Sequence, residues 1–555
     1  MTDAAEPDSA DARIGAGMAR PHARKLAGAT GIMMASILLS RLLGLVRDAI
    51  ISGKLGQGAD SDVYMAAFIL PDTLFFLIAG GALTSAFIPV FTELLAKNDE
   101  DGAWRLFSTV ASVMFLIISA FILAGLIFTK PLVRLLVYGF SPEMVERVIP
   151  LTRIVLPAQL CFFLGGLMMG AQQARGRFLL PGLGPNIYNL GIIAGGVFLV
   201  DRMGAAGLCW GALMGAIAGN FLLQAWGLRR EGARFRVCLD WRQPAVLRVG
   251  KLMLPVILGL ALPQVSYLLN RVFATSLGEG PMSALARANT LMQAPLAIFG
   301  QSLSIAIFPT LSAQAALTDW RRMGDTINLG IRFVLLLTVP SAALLIVLGK
   351  PLVAVLLQHG RFTEANTLET AAALSFYAIG LFAWSGQAVL ARGFYAMQNT
   401  VTPIIIGTLV TIVFVPLNFL FMDTLGMGHT GLALATTVAA ALNCGAMLIV
   451  LDRRLRRNAG TEGDGPHGLD LPRMGLSLLR IGTASVGCGA AAWLIARALK
   501  AHVTGGMGVK LGGLLELSVA GGLALLVYLG MLRLLRAEEP LQLARMLRRS
   551  RLTSS

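Results

Sequence analysis

"SRLLGLVRDAI", residues 40–50, puts Arg41, Arg47 and Asp48 inside an apolar run that begins near Ala27 and reaches residue 53. A run of that length suits an α-helix crossing ~30 Å of hydrocarbon at about 1.5 Å per residue. A charged side chain at mid-bilayer costs at least ~2.5 kcal/mol on the most lenient insertion scale, so these charges should face a partner or a wet cavity. Arg41 lies near the middle of the run, with Arg47 and Asp48 toward the outer half. Arg41 and Asp48 share a helix face, whereas Arg47 is turned away by about 120°. If both arginines line one cavity the helix must bend, and Gly44 between them is the candidate hinge.

Such runs recur along all 555 residues. The chain is 56% hydrophobic and 14% charged, with a mean hydropathy of +0.72, against roughly half and a quarter in soluble domains. About fourteen runs approach the ~20 residues a span requires. The expectation is an all-α polytopic membrane protein.

The net charge of +16 sits in short connections. "LRREGARFRVCLDWRQPAVLRVGK" (228–251) and "DRRLRRNAGTEGDGPHGLDLPR" (452–473) follow even-numbered runs, as does the tail with Arg545, Arg548, Arg549 and Arg551. Arg13, Arg20, Arg24 and Lys25 precede the first run. With fourteen spans all fall on one side, which the positive-inside rule makes cytoplasmic, both termini included. These charges read as topology determinants near anionic headgroups rather than a nucleic-acid surface. The five cysteines show no C-x-x-C spacing, the five histidines no metal-ligand spacing, and no P-loop, G-x-S-x-G or H-E-x-x-H pattern occurs. No metal, no cofactor and no catalytic activity is expected.

The sequence also repeats. "TKPLVRLLVYGF" (129–140) returns as "GKPLVAVLLQHGRF" (349–362), "LGQG" (55–58) as "LGEG" (277–280), and "GAAGL" (204–208) as "GHTGL" (428–432). Six spans per copy means that both copies enter the membrane in the same direction, and transporters built this way hold their ligand where the repeats meet. The expected division is a segment 1–26, an N-lobe 27–230, a linker 231–250, a C-lobe 251–454, a loop 455–474, two appended spans in 475–536 and a basic tail 537–555.

The second copy repeats the buried charge as well. Arg271 pairs by offset with the neighbourhood of Arg47, and Arg287 enters early in the eighth span. Asn289 and Gln293 lie on the same pair of helices, and Asp62 and Asp72 in the second span could partner the cations. Arg332, Arg392 and Arg453 sit near cytoplasmic helix ends and should snorkel to headgroups. Arginine in excess over carboxylate makes a cavity positive, and its planar fork suits a diphosphate better than a cationic drug. The expected binding set is Arg41, Arg47, Arg271, Arg287, Asn289 and Gln293, with Asp48 and Asp62 as cavity acids or coupling groups.

The first two spans, "SRLLGLVRDAIISGKLGQGADSDVYMAAFILPDTLFFLIAGGALTSAFIPVF", resemble the MurJ/MviN lipid II flippases of the multidrug/oligosaccharidyl-lipid/polysaccharide exporter superfamily. Weaker similarity, including "KPLVAVLLQHGRFT" and "LARGFYAMQNTVTP", runs through span twelve. The resemblance implies an inner-membrane flippase that moves undecaprenyl-diphosphate-linked peptidoglycan precursor to the outer leaflet by alternating access. It implies lipid II as ligand, membrane lipids and cell-wall synthases as partners, and a lipid-tail groove in 475–536. It carries the family's cavity arginines onto Arg41 and Arg47 and its acids onto Asp48 and Asp62. Two family arginines are absent, at Phe75 and Thr290, where Arg271 and Arg287 are placed to substitute. The alternatives are a flippase for another polyprenyl-diphosphate glycan, such as an O-antigen or capsule unit, and a cation-coupled drug exporter.

Overall fold

The computed structural model describes residues 33, 35–78, 82–459 and 468–542. The segment 1–26, part of the 455–474 loop and most of the basic tail lie outside the described residues. Among the described residues there is no strand, and nine helices are long and apolar enough to cross a membrane. Glu364–Ile379 and Leu381–Ala396 make a tenth if the pair, bent by 42°, counts as one span. The chain is an all-α polytopic membrane protein.

The internal repeat is written into helix ends. Glu100–Ile127 and Trp320–Val347 are each 28 residues long. Each begins at an aspartate N-cap, Asp99 accepting from Gly102 N at 2.8 Å and Asp319 from Arg322 N at 3.1 Å. An aspartate there satisfies one of the helix's orphan N–H groups. The residue before each cap, Asn98 or Thr318, has a left-handed backbone with φ of 58° or 53°. Gly56 and Gly278, in the two "LG-x-G" turns, likewise share φ of 70° and 86°, where a side chain would be strained. Chance similarity between greasy helices would not reproduce a cap and the turn that feeds it.

Packing divides the chain into two compact units. The first is Met1–Ile50, Leu70–Val133 and Glu146–Leu260; the second is Ile51–Ile69, Arg134–Val145 and Ala261–Ser555. In the first, Leu179–Phe198 crosses Ala205–Gly215 closely through facing glycines. A Cβ on Gly191 would lie 2.5 Å from Gly215 Cα, and one on Gly195 would lie 2.4 Å from Gly207 O. Without a hydrophobic drive between helices in lipid, such close backbone approach supplies the van der Waals contact that holds a crossing.

In the second unit, one apolar core joins Met323, Ile327 and Val334 to Leu451, Ile481, Ala520 and Tyr528. The appended spans Leu471–His502 and Val509–Leu534 are thereby part of that unit's core. Arg332 sits within it and does not snorkel. It is buried, and its guanidinium donates to Glu539 Oε1 at 2.6 and 2.7 Å. A carboxylate returning beneath the last span reaches it, so the charge is neutralised in place.

Candidate functional site

Three of the six expected binding residues converge in the second unit. Arg271, Asn289 and Gln293 line one cavity of about 320 Å³ together with Ser266, Tyr267 and Asn270, at the lower end of the range for small-ligand sites. Periodicity explains the convergence. Residues 266, 267, 270 and 271 form one face of Pro244–Ala274, and 282, 285, 286, 289 and 293 one face of Pro281–Pro295, the spacing that puts i, i+3, i+4 and i+7 side by side. Beyond Pro295 the helix relaxes into a π-helical stretch, Leu296–Gln301, a local widening that is frequent at functional sites.

The cavity is positive, with a few polar groups set in a lining that is otherwise apolar, Met282, Leu285, Met292, Leu296 and Trp384 among it. Arg271 is its one formally charged lining residue, and its guanidinium lies 5.1 Å from the Tyr267 ring centroid. Stacking on an aromatic face fixes the plane of the guanidinium fork. Asn270 is held from behind, donating Nδ2 to Tyr377 Oη and Thr436 Oγ1, both at 3.1 Å. Ser266 and Thr411 share a 2.7 Å hydroxyl hydrogen bond. The Asn270 and Ser266 donors are spent on protein partners, which leaves the Asn289 and Gln293 amides beside one oriented guanidinium, a set that suits phosphate and sugar oxygens. The lining offers a cation no carboxylate.

Arg287 lies elsewhere. It is buried, donating Nη2 at 2.8 Å both to Gly56 O and to Ser61 Oγ, with the Phe362 ring 5.3 Å away. It is not among the residues that line the cavity. Asp62 is fully buried and accepts from Gly280 N at 2.6 Å and Ser283 N at 2.8 Å. Those amides open the helix Pro281–Pro295, where the macrodipole favours an anion. Asp62 and Arg287 thus join segment 51–69 to that helix, while Arg361 reaches Asp60 at 3.1 Å.

Arg47 and Asp48 belong to the first unit. Arg47 places Nε and Nη2 on Asp48 Oδ1 at 2.9 and 2.8 Å and donates Nη1 to Asn189 Oδ1 at 3.0 Å. Asn189 in turn donates Nδ2 to Ser40 Oγ at 3.3 Å. The partner of Asp48 is therefore its neighbour Arg47, not Arg41. Arg41 is exposed, with neither ion pair nor hydrogen bond to any described residue. The helix runs unbroken over 35–55, and a Cβ on Gly44 would meet nothing within 4 Å.

Sequence reasoning passed over Asn189, Tyr377, Trp384 and Thr436. Asn189 had a signal, an amide in the middle of a span where burial demands a partner. Tyr377 and Thr436 had none, since each suits an apolar helix as well as a cavity. Phe75, at one of the absent arginines, packs its ring 5.6 Å from Phe163 and 6.2 Å from Phe162.

The lipid II flippase MurJ family model matches residues 51–511. A probable lipid II flippase MurJ of Vibrio cholerae is 30% identical over 424 residues, covering 74% of this chain and 80% of the relative. The lipid II flippase MurJ of Burkholderia cenocepacia is 30% identical over 427 residues, covering 76% and 82%. Among solved structures, a lipid II flippase MurJ in an inward closed conformation superposes with a TM-score of 0.73 at 23% identity, covering 90% of this chain and 97% of that one. An inward-facing multidrug resistance MATE transporter reaches 0.65 at 16% identity, over 76% and 96%. At those identities the structural matches establish the fold alone.

Proposed function

Because the chain belongs to the lipid II flippase MurJ family, we propose that it carries undecaprenyl-diphosphate-linked peptidoglycan precursor from the inner to the outer leaflet of the bacterial inner membrane by alternating access. The observation that carries this reading is the cavity in which Arg271, stacked on Tyr267, is the one charged lining residue, with the Asn289 and Gln293 amides beside it and no carboxylate. Diphosphate oxygens are acceptors in need of donors, and a carboxylate-free site discriminates against a cationic drug.

Arg271, Asn289 and Gln293 bind headgroup oxygens, and Arg41 and Arg47 supply further charge from the first helix. Asp48 holds the Arg47 fork in a fixed plane. Asp62 and Arg287 act at one step removed. While they hold segment 51–69 on the helix Pro281–Pro295, that state persists, and releasing them is part of the change of access. Both termini are cytoplasmic, and the precursor is handed on to cell-wall synthases after crossing.

A related polyprenyl-diphosphate glycan is the second reading. It is favoured by the aromatic cluster at Phe75, which puts hydrocarbon where the family resemblance expects an arginine. Depleting the protein distinguishes the two. Lipid II should accumulate and stay shielded from membrane-impermeant reagents added outside. Arg41→Ala and Arg47→Ala should insert normally and fail to restore exposure. Unchanged outer-leaflet lipid II on depletion would overturn the lipid II reading in favour of another glycan.

A further inference from the structure

The stretch "ARFRVCLDW", residues 233–241, alternates polar and apolar residues with a period of two. That pattern belongs to an extended chain with one covered face. The stretch is extended but pairs with no strand; it lies along the helix Glu100–Ile127 instead. Arg236 N donates to Ser108 Oγ at 3.2 Å and Cys238 N to Ser112 Oγ at 3.3 Å. Ion pairs pin both ends, Arg234 to Asp101 at 3.2 Å and Arg105 to Asp240 at 2.9 Å.

The main-chain N–H groups of Arg236 and Cys238 are thus spent on the helix, and the apolar side chains that alternate with them are left outward. Phe235, Val237, Leu239 and Trp241 are 56%, 80%, 52% and 57% exposed. Four large apolar side chains presented together on a short loop need a cover that water does not supply. Phe235, Val237 and Leu239 form one wall of a cavity of about 790 Å³, closed by Phe115, Met168 and Phe221 from three helices of the same unit.

The rim has the opposite character. Arg229 lines the cavity. Arg230 lies 3.9 Å over the Trp226 ring and Arg242 5.0 Å over Trp241, a pairing suited to the headgroup level, where indole rings and guanidinium groups gather. The nearby carboxylates are already committed, Asp240 to Arg105 and Glu231 to Arg177 at 2.9 Å. What remains at the rim is positive.

We propose that this cavity is a binding site for an anionic glycerophospholipid of the leaflet at that end of the helices, with an acyl chain among Phe115, Met168, Phe221 and Val237 and the phosphate on Arg229. Hydrocarbon walls with a cationic mouth match a lipid that is apolar at one end and anionic at the other. Neither half of the match suits a soluble ligand. The site is separate from the Arg271 cavity and does not depend on what that cavity carries. A lipid bound there holds the 233–241 stretch on its helix, since any ligand that binds the folded state alone stabilises it.

The test uses the full-length protein, delipidated in detergent and titrated with dioleoyl phosphatidylglycerol or dioleoyl phosphatidylcholine under native mass spectrometry. Phosphatidylglycerol should be retained about tenfold more tightly, a difference of ~1.4 kcal/mol. Ala225→Trp, which fills the cavity, and Arg229→Gln, which neutralises its mouth, should each abolish the preference; Arg453→Gln, at an exposed arginine outside the site, should not. Equal retention of the two lipids, or a preference that survives both site variants, overturns the proposal. Displacement of phosphatidylglycerol by undecaprenyl phosphate, one for one, overturns the assigned occupant in favour of a polyprenyl chain. A second readout needs no cavity-filling variant. Hydrogen bonding to Thr109 holds the Cys238 thiol below its usual range, so it should react readily with an uncharged maleimide. Alkylation should be several-fold slower in phosphatidylglycerol vesicles than in phosphatidylcholine vesicles, and Arg229→Gln should remove most of that difference; equal rates in the unaltered protein overturn the proposal.

Discussion

Ser283 donates its backbone N–H to Asp62 Oδ1 at 2.8 Å across 221 residues of sequence. Together with the 2.6 Å bond from Gly280 N, it makes Asp62 the anion at the mouth of the helix Pro281–Pro295. A hydrogen bond to a charged group contributes ~1.5–3 kcal/mol. Asp62→Asn removes the charge and turns an NH2 group toward amides that can only donate. Amide hydrogen exchange at residues 280–283 should accelerate by about tenfold or more, with the helix Trp320–Val347 unchanged as the internal control. Unaltered exchange at 280–283 would show that the carboxylate does not hold that segment.

Arg271 and Arg287 should fail in different ways. Arg271→Gln keeps hydrogen-bonding capacity in the cavity but loses its charge. Binding of an undecaprenyl-diphosphate lipid to the purified protein should weaken by about tenfold or more, the scale of one charge-assisted pair, with little change in thermal stability. Retained affinity in Arg271→Gln would remove this residue from the binding set.

Arg287→Met takes the donor away from Gly56 O and Ser61 Oγ, leaving buried acceptors unsatisfied at ~1–3 kcal/mol each. The expected outcome is a lower melting temperature, with substrate affinity kept in the fraction that stays folded. A variant of normal stability that has lost affinity would return Arg287 to the binding set that its sequence position first suggested.

That contrast shows what sequence could and could not deliver. Spans were legible because hydrocarbon tolerates little else, and the repeat because stretches such as "TKPLVRLLVYGF" and "GKPLVAVLLQHGRF" return in order along the chain; the paired Asp99 and Asp319 caps emerged only from the structure. Arg271, Asn289 and Gln293 were legible as polar residues in apolar runs, where each needs a reason to exist. Arg287 looked the same on that criterion. Its partners include a backbone carbonyl and a serine in segment 51–69, and a carbonyl carries no residue-type signature. The second unit's hold on that segment is likewise invisible to a division drawn at the repeat boundary.

Arg332 extends the point and provides the sharpest test of stability. Its partner, Glu539, lies 207 residues on, just past the final span, and Ser477 also donates to that carboxylate. Removing one member of a buried ion pair costs ~3–5 kcal/mol because the other charge is left without compensation, whereas replacing both by hydrocarbon of similar volume is often neutral. Glu539→Gln should therefore lower the melting temperature and loosen Leu471–His502 and Val509–Leu534 from the core they share with Trp320–Val347. Arg332→Met combined with Glu539→Leu should recover most of the loss. If the double variant is no more stable than Glu539→Gln alone, the pair does more than neutralise charge, and its geometry is required to seat the two appended spans.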